Sequence, residues 1–358
     1  MPFLVADKVT EPLYVVVPYQ NQWRWKSREK HTLRALKHFH DSGAVIILVE
    51  VAFNRREFAF AESGLHGTLA ECKVLGNEHG LRHQYVPLRS KEELWLKEAM
   101  INAGVQRLPY DWQQVAWLDS DITFLRSNWV GECIHKLQHY SWLQMFSHAR
   151  DLSPNSEMLP ETYPHANGIS FVEGYRRSGL EGLRKLYGNR TGYYYGAKPW
   201  PGLAWAATRP AFEAAGGLMD FHIWGGGDWS TSWALIGQKD AMMHTGLHPN
   251  YKRLVNAWMK HVQDPHYLRK NVGVMEGSVV HAWHGRKTER GYAAKHRLLA
   301  DIGFDPISHL RRDYQNLPQL HDDGSDSFIQ LREAMRAIAK ERDEDSTYTG
   351  LDTKEQGH

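Results

Sequence analysis

The stretch Q-V-A-W-L-D-S-D-I-T-F-L, residues Gln114 to Leu125, holds two short apolar runs on either side of Asp119-Ser120-Asp121. Val115 to Leu118 and Ile122 to Leu125 both read as buried strand. Two carboxylates at such a strand end are costly to bury unless a positive charge satisfies them. A hard divalent cation does this, and Mg or Mn also holds diphosphates. The bland alternative is a solvated turn at the end of a strand, and the short motif alone does not choose between them.

Outward from this point the chain alternates. Leu13 to Val17 reads as a first strand ending at Pro18, and Arg28 to His40 as a helix stopped by Asp41-Ser42-Gly43. Ala44 to Phe53 is a nearly continuous apolar strand, as expected where both faces of a parallel sheet are covered. Leu81 to Leu88 alternates like a third strand, and Lys91 to Ala103 reads as the helix leading to the Asp-Ser-Asp strand. Further on come a helix from Trp129 to Leu137, strands from Trp142 to Phe146 and Gly168 to Val172, a short helix from Arg209 to Ala215, and a last helix from Ser327 to Lys340. Strands alternating with helices predict an open α/β sheet, with ligands at the carboxyl ends of its strands. The Asp pair lies at such an end.

The whole chain has 358 residues, 42% apolar and 23% charged, the composition of a soluble globular protein. One large α/β unit with insertions fits this length as well as two domains do. No secretory signal is visible in Met1 to Glu11, and no run approaches the roughly 18 apolar residues of a membrane span. Cys72 and Cys133 are too few for a disulfide framework, so a reducing, cytoplasmic setting is the expectation. Net charge is +2 but unevenly placed: Lys252 to Arg312 carries 12 Lys or Arg against 5 Asp or Glu, and His321 to His358 carries 5 against 10. The basic span suits a phosphate-bearing ligand or a solvated face.

Two further stretches carry chemistry. In Trp224-Gly225-Gly226-Gly227-Asp228-Trp229 the glycines permit a sharp turn or a close approach to ligand. Asp228, flanked by tryptophans, suits a general base or the N-cap of a helix starting near Ser230. In Val279 to Lys287 a strand leads into His281 and His284, candidate imidazole ligands, followed by Arg286, Lys287 and Arg290, a cluster able to neutralise a diphosphate. Tyr193, Tyr194, Tyr195 and Trp200 form an aromatic loop that suits sugar stacking or core packing equally.

Taken in order, these stretches resemble the nucleotide-sugar glycosyltransferases of the GT-A fold, and most closely the inverting galactosyltransferases of the lactose-synthase type. The Pro-Phe-Arg-Asn-Arg turn of that family is similar to Pro18-Tyr19-Gln20-Asn21-Gln22, and its Phe-Asn-Arg-Ala-Lys-Leu-Leu-Asn-Val-Gly block to Trp95 through Gly104. Its Asp-x-Asp corresponds to Asp119 and Asp121, its Trp-Gly-Gly-Glu-Asp loop to Trp224 through Asp228, and its Met-Ile-Arg-His strand to His281 through His284. The resemblance implies an α/β GT-A domain over residues 1–312, with a nucleotide-binding half to about 150 and an acceptor half after it. Residues 313–358 are expected as a helical extension ending in a charged, disordered tail from Glu341.

It also implies roles. Trp95 lies against the base, Lys97 near the phosphates and Asp119 at the ribose or metal. Asp121, His281 and His284 hold Mn2+ or Mg2+, and Asp228 deprotonates an acceptor hydroxyl. Pro18, Tyr19, Asn21, Trp224, Arg286 and Arg290 complete the donor site. The implied donor is a UDP-sugar. The acceptor is either a glycan or, as in phage enzymes that glycosylate 5-hydroxymethylpyrimidines such as 5-hydroxymethylcytosine, DNA in a host cytoplasm. The rivals are a silent sugar- or DNA-binding module and a metal-dependent nucleotidyltransferase or phosphohydrolase. Three departures stand out. Gln20 and Gln22 replace the two arginines of the first turn, leaving Arg24 and Lys26 as nearby substitutes; Gly227 replaces the Glu before the base; and Trp229 replaces the Asp after it.

Overall fold

Tyr14 to Val17 and Val45 to Phe53 are almost wholly apolar because each strand is covered on both faces. Along the first, Tyr14 and Val16 enter one core while Val15, Val17 and Tyr19 enter another; along the second, Val45, Ile47, Val49, Val51 and Phe53 take the first core and Ile46 and Leu48 the second. This period of two is the strand's own geometry, and it makes these strands the wall between two helical layers.

The computed structural model describes residues 11–60, 83–160, 166–187, 199–238, 246–263, 272–286, 292–321 and 324–347. In chain order the first half runs β1 (Tyr14–Gln20), α1 (Lys26–Asp41), β2 (Val45–Phe53), β3 (Gln84–Ser90), α2 (Lys97–Val105), β4 (Gln114–Leu118), β5 (Ile122–Phe124), α3 (Trp129–Leu137), β6 (Trp142–Gln144) and β7 (His148–Asp151). The second half runs β8 (Asn167–Ile169), α4 (Phe171–Tyr187), β9 (Ala204–Thr208), α5 (Arg209–Ala214), α6 (Gly227–Leu235), α7 (Pro249–Gln263), β10 (Val272–Val274), β11 (Ser278–His281), α8 (Tyr292–Asp301), β12 (Leu310–Arg312), β13 (Pro318–Leu320) and α9 (Asp326–Glu341).

The expected open, mostly parallel sheet flanked by helices is present. Its seven strands are ordered β10-β6-β9-β4-β1-β2-β3, and β9 runs against its neighbours β4 and β6. A second sheet, β5-β11-β7-β8, lies beyond the carboxyl end of β4, and β12 pairs with β13 in a small ribbon. Helix α1 brings Ala35, Leu36 and Phe39 to one core. Helix α2 brings Ala99, Met100, Ile101 and Ala103 to the other. It sits so close that a Cβ on Gly104 would come within 2.6 Å of Val16 Cγ1.

Several expectations shift. β1 does not stop at Pro18 but continues through Gln20, because Pro18, Tyr19 and Gln20 stay in register with Val49, Glu50 and Val51. The helix expected from Lys91 starts at Lys97; the Trp95 and Leu96 amides are spent instead on Ile223 O (2.7 Å) and Gln20 Oε1 (2.9 Å). Ile122 to Phe124 is a strand, but of the second sheet, paired antiparallel with β11. Phe171 and Val172, expected in a strand, open α4. Residues 341–347 are not a loose tail: Glu344 is 1% exposed and Asp345 accepts hydrogen bonds from the Lys26 and Ser27 amides. Cys133 is a buried free thiol, and Cys72 and the tyrosines at 193–195 lie outside the described residues. No helix among the described residues is long and apolar enough to cross a membrane.

Candidate active site

Asp121 sits where the chain leaves the large sheet for the small one, and that crossing builds the site. Antiparallel pairing sets His281 opposite Ile122, and the Ala282 amide donates to Asp121 O (2.8 Å). The end of β11 is thereby fixed beside the Asp-Ser-Asp turn. His281 Nε2 and His284 Nε2 stand 3.5 and 3.4 Å from Asp121 Oδ2, and 3.0 Å from each other. Ligand atoms of the three residues lie within 4.8 Å of one another.

The donor set fits a divalent ion with carboxylate and imidazole ligands. Asp121 Oδ1 is buried with no hydrogen-bond partner among the described residues, an orphan that an ion would satisfy. Behind His281, Asp151 Oδ1 lies 2.7 Å from Nδ1, the outer carboxylate that orients a ligating imidazole. Burial alone would lower the His281 pKa, yet the Asp121 and Asp151 carboxylates outweigh it and push it up to about 9. Asp121 is held below the usual carboxylate range: burial raises it, and His281, Arg28 and His31 more than reverse that. The two shifts report the same His281–Asp121 pairing from its two ends.

Next to it lies a chain of charges. Lys97, buried at the start of α2, places Nζ 2.6 Å from Asp119 Oδ1 and 3.0 Å from Asp228 Oδ2. Expected near phosphates, Lys97 is here a clamp between two carboxylates. Burial opposes its charge, but those two carboxylates and Glu98 hold its pKa well above the ordinary value. Asp228 is not an N-cap. That place belongs to Gly226, at φ 90, and Asp228 lies in the first turn of α6 with its side chain 27% exposed. Oδ2 is held by Lys97, and Oδ1 makes no hydrogen bond or ion pair among the described residues.

The motif departure at Gly227 has a physical counterpart. A Cβ on Gly227 would overlap the carboxyl group of Glu98, which is 4% exposed. A buried carboxyl from α2 thus fills the space that a side chain on the loop would take. Burial, then the Asp228 charge, push the Glu98 pKa well above the usual carboxylate range. Gly227→Ala should lose about 1–3 kcal/mol of stability through overpacking. Glu98→Ala in the same chain should recover most of that loss. Denaturant unfolding of both single variants and the double variant measures the coupling, and simple additivity would contradict the contact.

Beside these groups opens a cleft lined among others by Asn21, Trp95, Trp224, Arg28, Arg342 and Glu344. Trp95 and Trp224 stand in its wall. Asn21 shapes the turn: its Nδ2 donates to Tyr19 OH and Trp25 O, and its Oδ1 accepts from the Trp25 amide. Tyr19 is 2% exposed and edge-on to Phe60 at 4.8 Å, and Pro18 lies within β1, so these two sit in the sheet behind the turn. Arg286 is half-buried after Gly285, and Lys287 and Arg290 lie outside the described residues. Asp151, Glu98, Arg28, Arg342 and Glu344 are the residues that motif reasoning missed.

No family model and no curated protein matches the chain. Solved structures similar to it include glycosyltransferases. The catalytic domain of Drosophila beta1,4-galactosyltransferase 7, in complex with xylobiose, is 12% identical over 62% of this chain and 59% of that chain, with TM-score 0.29. The mannosyltransferase PcManGT from Pyrobaculum calidifontis, with GDP-Man and Mn2+, is 12% identical over 98% and 77%, with TM-score 0.40. Glucosyl-3-phosphoglycerate synthase from Mycobacterium tuberculosis, with Mg2+ and UDP, is 10% identical over 81% and 76%, with TM-score 0.33. The chain spans less than two thirds of the Drosophila domain.

Proposed function

We propose that the protein is a metal-dependent, inverting glycosyltransferase that uses a nucleoside-diphosphate sugar, specifically a uridine one. The observation that carries this is the convergence, at the end of β4, of the Asp121, His281 and His284 ligands with the Asp119–Lys97–Asp228 chain. A divalent ion held by those three ligands would neutralise the leaving diphosphate. Asp228 accepts the proton of an acceptor hydroxyl through Oδ1, the oxygen not held by Lys97, as the acceptor oxygen bonds to the anomeric carbon. The bond from that carbon to the diphosphate oxygen breaks on the opposite face, and the diphosphate leaves with the electron pair. Lys97 holds Asp228 in place, and Trp95 and Trp224 exclude water from the cleft.

A silent binding module has no use for a base beside a cation site. A nucleotidyltransferase or phosphohydrolase explains Asp119 and Asp121 but not the Gly-rich loop that presents Asp228. Release of nucleoside diphosphate from a panel of nucleotide sugars, with oligosaccharides and with hydroxymethylated DNA, separates these readings. Release that requires an acceptor supports glycosyl transfer. Nucleoside monophosphate as the product, or no turnover with any donor, contradicts it.

For the acceptor we propose 5-hydroxymethylpyrimidine in DNA, on the basic excess between Lys252 and Arg312. Lys252 and Arg253 on α7 and Arg311 on β12 are exposed. Arg312 is already paired, with Nη1 2.8 Å from Asp220 Oδ2, and is a poor candidate for a phosphate contact. If DNA is the acceptor, duplex binding weakens steeply with salt, and replacing Lys252, Arg253 and Arg311 by alanine reduces the log–log slope by about one per lost contact. A DNA affinity that ignores salt, or no stimulation by hydroxymethylated DNA, assigns the enzyme to glycan acceptors.

A further inference from the structure

Two guanidinium groups from opposite ends of the chain meet at one buried carboxylate beside the metal ligands. Arg28, on α1, donates through Nε to Glu344 Oε2 (2.7 Å) and pairs through Nη2 with Glu344 Oε1. Arg342, one residue past α9, places Nε 2.8 Å from the same Oε1. The Arg342 guanidinium also lies over the Trp95 ring at 5.6 Å, with Nη2 3.3 Å from His284 Nδ1. It therefore spans the distance from the aromatic wall of the cleft to a metal ligand.

We propose that Arg342, whose guanidinium bridges Trp95 and His284 in this cleft, is a binding residue for the donor's diphosphate. The assignment rests on the nucleotide-sugar reading above. A nucleotide whose base lies against Trp95 and whose phosphates face the Asp121–His281–His284 cluster has to pass the guanidinium that bridges the two. The Arg342 guanidinium is a planar fork of N–H donors, a geometry that matches a phosphate.

The cations and amides of the first turn are placed elsewhere. The first turn has Gln20 and Gln22 where arginine was expected, and the Gln20 side-chain oxygen is engaged by the Leu96 amide. Arg24 and Lys26 are exposed on the turn. The α1 N-terminus is closed to an anion because Asp345 already accepts from the Lys26 and Ser27 amides, at 3.1 and 2.7 Å. Those same bonds, with Trp283 Nε1 donating to Ser346 O (2.6 Å) and Ser27 Oγ to Glu344 O (2.9 Å), fasten residues 342–346 to the site. Gly285 is needed for this seat, since a Cβ there would overlap the Arg342 carbonyl. The guanidinium is preorganised, so little ordering is left for the ligand to impose. Trp224 adds a buried indole N–H with no hydrogen-bond partner among the described residues.

Calorimetric titration of the full chain with UDP and with uridine, both in Mn2+, tests the assignment. Arg342→Met keeps the aliphatic cover on Trp95 and removes the charge. UDP affinity should fall tenfold or more, while uridine affinity, measured at a temperature where both chains are folded, stays unchanged. If the Met variant does not fold, Arg342→Lys carries the test: it keeps the charge without the planar fork, and UDP binding should weaken several-fold with uridine unaffected. UDP binding equal to that of the unaltered chain overturns the proposal. So does an equal loss for UDP and uridine, which makes Arg342 a support for Trp95. If the unaltered chain binds no UDP, the nucleotide-sugar reading fails first and takes this assignment with it.

Discussion

Asp121→Ala and His284→Ala should each lower sugar transfer by about three orders of magnitude, the effect of withdrawing several kcal/mol of charge stabilisation from the leaving diphosphate. Each change removes one of three ligand groups that meet within 4.8 Å, and Asp121→Ala also removes the orphaned Oδ1. Asp151→Asn should be milder. It leaves the three ligands in place and weakens only the contact that orients His281 through Nδ1, so metal affinity falls by about 10- to 100-fold. Steady-state transfer across a Mn2+ titration reads both effects: the Asp151 variant recovers at high metal, and the Asp121 and His284 variants do not. Full activity of the unaltered enzyme in excess chelator would contradict the account.

Asp228→Asn should lower transfer by about two to four orders of magnitude while donor binding survives. The substitution keeps the shape and hydrogen bonding of the side chain and removes its capacity to take a proton. Lys97 keeps a carboxylate partner in Asp119, 2.6 Å away, so the clamp at the start of α2 persists and the fold should hold. Nucleotide titration beside single-turnover transfer distinguishes the roles. A collapse of nucleotide affinity with near-normal residual transfer would make Asp228 a binding residue and move the base elsewhere.

Much of this site was legible because its residues stand at strand ends bracketed by apolar runs. Asp119 and Asp121 follow Val115 to Leu118, and His281 closes Ser278 to Val280, so alternation and burial pointed to both. That β5 leaves the large sheet was not legible. Ile122-Thr123-Phe124 has the same local signal in either sheet, and pairing with the distant β11 decides between them. The early start assigned to α2 fails for a related reason. Lys91 to Leu96 is compatible with helix locally, but tertiary hydrogen bonds take the Trp95 and Leu96 amides.

Charge pairs across the chain were the least visible. Glu344 reads as one more acid in a charged stretch until Arg28, 316 residues away, is seen to donate to it. Gly227 was recognisable as a departure from a motif, but not its compensation, because Glu98 lies on a different element and meets the glycine only in the folded chain.

The most direct test of the central claim, a cation site that serves nucleotide-sugar chemistry, is electron paramagnetic resonance of free Mn2+ titrated with the protein in the presence and absence of UDP. The account predicts one Mn2+ bound per chain, tighter with UDP, and lost in Asp121→Ala and in His281→Ala. Mn2+ binding that is unchanged by those substitutions and indifferent to UDP would contradict it.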